Sequence, residues 1–234
     1  MRTVELITQS ATIFYNQLKD DPNGRYRSWE HCYKVFHDAR KNTNPAYDNL
    51  SLHLAFYLAS WGMYRGSSFL LQKDYKVHIP IVMEILKKKY DPLFGIECVE
   101  LCKKQNQQLL EELQTAMTKH YNLERKSVKE VDVKNDLSST LITKVLMGTL
   151  GCVPAYDRYF IAGVKDQKVT TGIYNFKSLK KLADFYENNK NELEKVRNTM
   201  TVYDLPYPQM KLLDMGFWQI GFEKDTEKGL QTAH

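Results

Sequence analysis

Apolar residues recur at helical spacing along most of this chain, and no run alternates convincingly with period two. That pattern points to packed helices, because a strand with one buried face requires alternation. In residues 3–19, Val4, Ile7, Ala11 and Phe14 share one face, and Asp20-Asp21-Pro22-Asn23-Gly24 stops the run. A second helix is expected over 28–41, with Ser28 as its N-cap and Trp29, Cys32, Tyr33 and Phe36 turned inward. The third, 47–65, is apolar on most sides through Leu50, Leu52, Leu54, Phe56, Leu58 and Trp61, which predicts a central position. Helices are also expected over 75–90, with Pro80 in the first turns, and over 98–120, 141–150, 175–200 and 209–222.

The expected fold class is therefore all-α, a compact multi-helix domain of about eight helices over residues 1–223, with a frayed tail over 224–234. The polar stretch 127–136 is the best candidate for a flexible connection. At 234 residues with 43% apolar and 26% charged side chains, the chain has the material for an ordinary core. A net charge of +5 allows contact with DNA, RNA or an anionic ligand without demanding it. The four cysteines follow no signal-peptide pattern, and no apolar stretch is continuous enough to span a membrane. A cytoplasmic protein with free thiols is expected, without metal or cofactor. Cys98 and Cys102 lack a second ligand pair, and there is no phosphate loop, G-x-S-x-G elbow or H-E-x-x-H. Oligomeric state is left open.

The stretch LITKVLMGTLGCVPAYDRYFIAG, residues 141–163, places Tyr156, Asp157 and Arg158 between two apolar runs. Asp157 follows a turn, so it is either a helix N-cap or a functional carboxylate. Lys144 lies on the preceding helix, and a basic face is expected from Lys144, Arg158 and Lys165. The order of apolar helix, Gly-Cys-Val-Pro, Asp157, Arg158 and aromatic resembles the segment of helix-hairpin-helix DNA glycosylases that carries their catalytic aspartate. The later YPQMKLLDMGFWQIG is similar to a closing helix in small proteins distantly related to that fold. The resemblance implies a DNA-associated helical protein in which Asp157 stabilises charge developing on the sugar or activates the nucleophile. The chain departs from that family in three ways. Lys134-Asn135-Asp136-Leu137-Ser138-Ser139 stands where a glycine hairpin belongs, Lys144 lies a turn late for the nucleophilic lysine, and no cysteine cluster serves an iron–sulfur centre.

A second candidate is Trp61, Tyr64, Arg65, Ser67 and Ser68, where an apolar helix meets a glycine-containing bend. The arginine and hydroxyls suit a phosphate or a carboxylate and the rings suit stacking of a base or ring, or else Arg65 ties helix-end carbonyls and Trp61 fills the core. The segment LHLAFYLASWGMYRGSSFLL also resembles one in all-helical bacterial proteins, and that likeness implies no activity. A third candidate is Arg25 with His31, whose spacing resembles the R-x4-6-H pair of HEPN-type metal-independent ribonucleases. Two further expectations stand beside nucleic-acid association: a scaffold with an exposed apolar patch on the 217–222 segment, binding a protein partner, and such a ribonuclease.

Overall fold

The computed structural model describes residues 2–128 and 137–231. Most of the 127–136 connection and the last three residues of the expected tail lie outside the described residues. Among the described residues there are eleven α-helices, α1 Thr3–Asp20, α2 Ser28–Ala39, α3 Tyr47–Ser60, α4 Ile79–Ile85, α5 Cys98–Leu101, α6 Lys104–Lys126, α7 Ser139–Thr149, α8 Arg158–Asp166, α9 Phe176–Asn188, α10 Lys190–Arg197 and α11 Gln209–Gln231. Short 3-10 turns join several of them, and a two-stranded antiparallel hairpin pairs β1 Thr201–Val202 with β2 Leu205–Pro206.

The all-α class holds, while the count exceeds the expected eight because two long periodic runs are broken and α8 forms a helix of its own after Asp157. The 98–120 run breaks at Cys102–Lys103, and the 175–200 run breaks at Asn189. Asn189 has a non-helical backbone, and its amide donates back to the Phe185 carbonyl at 2.8 Å. Side-chain amides compete with the helix ladder in this way. The hairpin is too short for alternation to reveal it. Ser28 does not cap α2: Arg27 occupies that position, and the buried Ser28 hydroxyl has no hydrogen-bond partner among the described residues.

The central element is α11, not α3. Every residue from Met210 to Gly221 is buried, and α11 packs chiefly on α8 and α1. Glycine permits the closest of these approaches: a Cβ on Gly163 of α8 would lie 1.9 Å from the Phe217 carbonyl oxygen, and one on Gly221 would lie 2.0 Å from that of Tyr159. By contrast, α3 leaves a face uncovered, with Leu52 50% and Phe56 57% exposed. The segment 217–222 does not form the expected apolar patch: Phe217, Trp218 and Ile220 are buried, and Phe222 is exposed at 36%. No helix among the described residues is long and apolar enough to cross a membrane.

Candidate functional site: a pocket between four helices

Two helix ends, those of α3 and α8, meet α7, α11 and the turn at Arg25-Tyr26 around a pocket of about 260 Å³. The first end belongs to α3. Trp61 is its C-cap, Gly62 takes φ +76°, and Met63 N–H donates to the Leu58 carbonyl at 2.8 Å. This is a Schellman ending, which glycine favours because it pays no Cβ penalty there. A Cβ on Gly62 would meet Arg65 Nε at 2.9 Å, so the same glycine lets Arg65 fold back beside the pocket.

The second end is the N-terminus of α8. Asp157 Oδ1 accepts from the N–H groups of Tyr159 and Phe160, each at 3.1 Å, so the capping expectation is met. Its other oxygen faces α7. Lys144 Nζ lies 3.3 Å from Asp157 Oδ2 and donates to the Trp61 carbonyl at 2.8 Å. Lys144 is therefore what holds the α3 terminus, and it is only 3% exposed, so it cannot contribute to a basic surface. Burial lowers its pKa, and the nearby Asp157 carboxylate opposes that shift.

The loop that delivers Asp157 is fixed from both sides. Thr143 Oγ1 accepts from Tyr156 N–H at 3.0 Å, and Thr140 Oγ1 donates to the Tyr156 carbonyl at 2.9 Å. From α11, Asp214 Oδ1 accepts from Ala155 N–H at 2.9 Å, while its other oxygen pairs with Lys211 Nζ at 2.8 Å. Both Lys211 and Asp214 are buried, and Lys211 Nζ lies 5.3 Å from the Trp61 ring centre, against 5.4 Å for Lys144 Nζ. Two buried ammonium–carboxylate pairs thus stand beside one indole. Such pairs are costly to bury and costlier to break singly.

Aromatic rings form the walls. Tyr26 lies 4.8 Å from Trp61 and 5.6 Å from Trp218, Tyr159 lies 5.2 Å from Trp218, and Phe222 stacks on Trp218 at 5.0 Å. Arginines stand around them: Arg25 over the Tyr26 ring at 4.7 Å, Arg158 over the Tyr159 ring at 4.3 Å, and Arg65 from the α3 bend. Arg158 is exposed and reaches Asp225 only loosely, at 3.5 Å.

Of the residues singled out in the sequence, the structure brings Trp61, Arg65, Lys144, Asp157, Arg158 and Arg25 to this pocket. Tyr156 does not line it. Its ring is buried against Phe160 and Tyr174, and its hydroxyl pairs with Ser178 at 2.8 Å. Tyr64 is likewise turned away, its hydroxyl 2.8 Å from His78 Nε2, while His78 Nδ1 meets the Tyr121 hydroxyl at 2.8 Å. His31 pairs with the Tyr203 hydroxyl at 2.6 Å and is not at the pocket with Arg25.

Sequence reasoning missed Tyr26, Tyr159, Trp218 and Phe222 as pocket walls, and it missed Lys211 and Asp214 altogether. The available signal for the last two was a pair of charges, three residues apart, inside an otherwise apolar helix. No group of three or more His, Cys, Asp or Glu side chains that would hold a metal ion occurs among the described residues. No protein family, curated protein or solved structure matches the chain. The site is therefore read from its own chemistry.

Proposed function

We propose that this is a nucleic-acid-associated helical protein whose pocket receives one unstacked nucleotide, with Asp157 and Lys144 as the polar pair at its floor. The observation that carries the reading is the combination of arginines around the pocket with rings along its walls. Four cationic side chains and a single carboxylate line it, and that carboxylate already faces an ammonium group. This balance disfavours a cationic ligand, although an aromatic cage alone would suit one. It favours an anionic group joined to a flat ring, which stacks on aromatic walls while arginines take the phosphate. The volume is slightly below the roughly 300–1,000 Å³ usual for small-molecule pockets, which fits a single ring system.

The resemblance to helix-hairpin-helix glycosylases gives Asp157 a role in stabilising charge that develops on the bound sugar. The buried Lys144 amine suits attack on an aldehydic, base-free sugar: nitrogen bonds to the carbonyl carbon, and loss of water leaves an imine. The test is a titration of labelled single- and double-stranded DNA and RNA at two salt concentrations. Borohydride trapping on a strand with a base-free sugar would accompany it. Salt-dependent binding weakened in Arg158→Ala supports the binding reading, and absent or salt-insensitive binding sinks it. A trapped adduct lost in Lys144→Met supports the chemistry, whereas binding without any adduct leaves a binding module.

A second reading, an interaction scaffold, is favoured by the exposed Leu52 and Phe56, which are spaced one turn apart on α3. It expects self-association or partner capture that Phe56→Ser abolishes. A monomer at every concentration, binding no partner, would count against it.

A further inference from the structure

A second cavity, of about 370 Å³, adjoins the pocket and shares Arg25 and Tyr26 with it. The Tyr26 ring lies 4.8 Å from that of Trp61, which lines the pocket, and 6.0 Å from that of Phe14, which lines the second cavity, and the Phe14 and Trp61 rings are themselves 6.4 Å apart. The guanidinium of Arg25 lies over that same ring and donates to the Tyr26 hydroxyl at 2.7 Å. No ion pair engages Arg25 among the described residues. The cavity thus has Phe14 and Tyr26 in its lining, and a cation with no ion pair among the described residues stands where the two cavities meet. Gln17 and Asp21 provide its remaining polar lining. The Asp21 carboxylate repels a phosphate within the cavity and leaves Arg25 as the place for one.

We propose that the two cavities are consecutive subsites for a single-stranded nucleic acid, with one base in each cavity, Tyr26 in the lining of both, and the linking phosphate on Arg25. This rests on the nucleotide reading of the first pocket and extends it from a lone nucleotide to a strand. Stacking a second base on an aromatic ring is worth enough to tighten binding about tenfold. A free mononucleotide fills one cavity only.

The test compares thymidine 5′-monophosphate with the dinucleotide pTpT, by calorimetry or fluorescence at one fixed ionic strength. The expected result is binding of both, with the dinucleotide about tenfold tighter. Gln17 is exposed on α1 and lines only the second cavity, so Gln17→Trp fills that space without burdening the core. In this variant the mononucleotide affinity stays as in wild type and the dinucleotide advantage falls to about one. Gln17→Ala retains the advantage. Mononucleotide binding without a dinucleotide advantage, or an advantage that survives Gln17→Trp, overturns the second subsite and leaves the first standing. Failure of both compounds to bind overturns the two readings together.

Discussion

Lys144 Nζ stands 3.3 Å from Asp157 Oδ2, with the lysine 3% exposed and the aspartate side chain 13%. Asp157 thus does two jobs, capping α8 through one oxygen and neutralising a buried ammonium through the other. Substitutions separate them. Asp157→Asn keeps an oxygen that accepts from Tyr159 and Phe160 but strands the Lys144 charge, at a cost of about 3 kcal/mol. Asp157→Ala loses the cap as well, for about 1 kcal/mol more. Lys144 has a folded-state pKa below its ordinary value of 10.5, so the unfolded chain holds that proton to higher pH. The resulting penalty is present at neutral pH and fades as pH rises through the folded value. Removing Asp157's charge lowers that value further. The stability gap between Asp157→Asn and wild type should therefore narrow in urea titrations as pH rises from neutrality toward 10.5. A constant gap would show that the pair is not what stabilises this corner.

His78 is fully buried between the hydroxyls of Tyr64 and Tyr121, and desolvation pushes its pKa from 6.5 down to about 3. A depressed imidazole pKa means that the unfolded state takes up the proton first. The stability due to neutral His78 is whole above pH 6.5 and is lost as pH falls toward 3. At pH 4.5 the loss is about 2–3 kcal/mol. His78→Gln removes this term, so the difference between wild type and variant should shrink by that amount between pH 7 and pH 4.5. An unchanged difference in denaturant midpoints would contradict the burial of an uncharged ring.

Gly163 and Gly221 mark where α8 and α11 touch backbone to backbone. Neither helix can move away without uncovering Phe160 or Phe217, whose rings meet at 5.9 Å. Gly163→Ala and Gly221→Ala should each destabilise by about 3 kcal/mol or prevent folding. Gly66→Ala is the control for a glycine with open space around its Cβ, and its cost comes only from its φ of +59°. Thermal melts showing all three alike would remove the close crossing as the cause.

Arg158 and Lys165 separate a pocket effect from a general charge effect. Arg158 lines the pocket and is 67% exposed, whereas Lys165, one α8 residue among the exposed cations, does not line it. Arg158→Ala should weaken single-strand binding about tenfold and reduce the salt slope by about 0.7. Lys165→Ala should leave both close to wild type. Equal losses would indicate diffuse attraction to a basic protein.

The helices were legible because their periodicity is local. Val4, Ile7, Ala11 and Phe14 share a face whatever surrounds them, and Asp157 is a capping residue wherever a helix starts after it. The position of each helix in the packing was not legible in the same way. Leu52 and Phe56 made α3 look central, yet they face outward, while Lys211 and Asp214 sit buried in α11 because each neutralises the other. Trp61, Lys144, Asp157 and Arg158 could be picked out singly as unusual. Their meeting in one pocket depends on α3 ending beside the loop between α7 and α8. The sequence by itself determined the helical class, most helix starts and stops, and a list of chemically capable residues, since these follow from nearest-neighbour geometry. Tertiary structure alone decided which helix is central, which tyrosines are committed elsewhere, and that the arginines share one mouth. Those outcomes depend on contacts between residues far apart in the chain, whose energies no local pattern records.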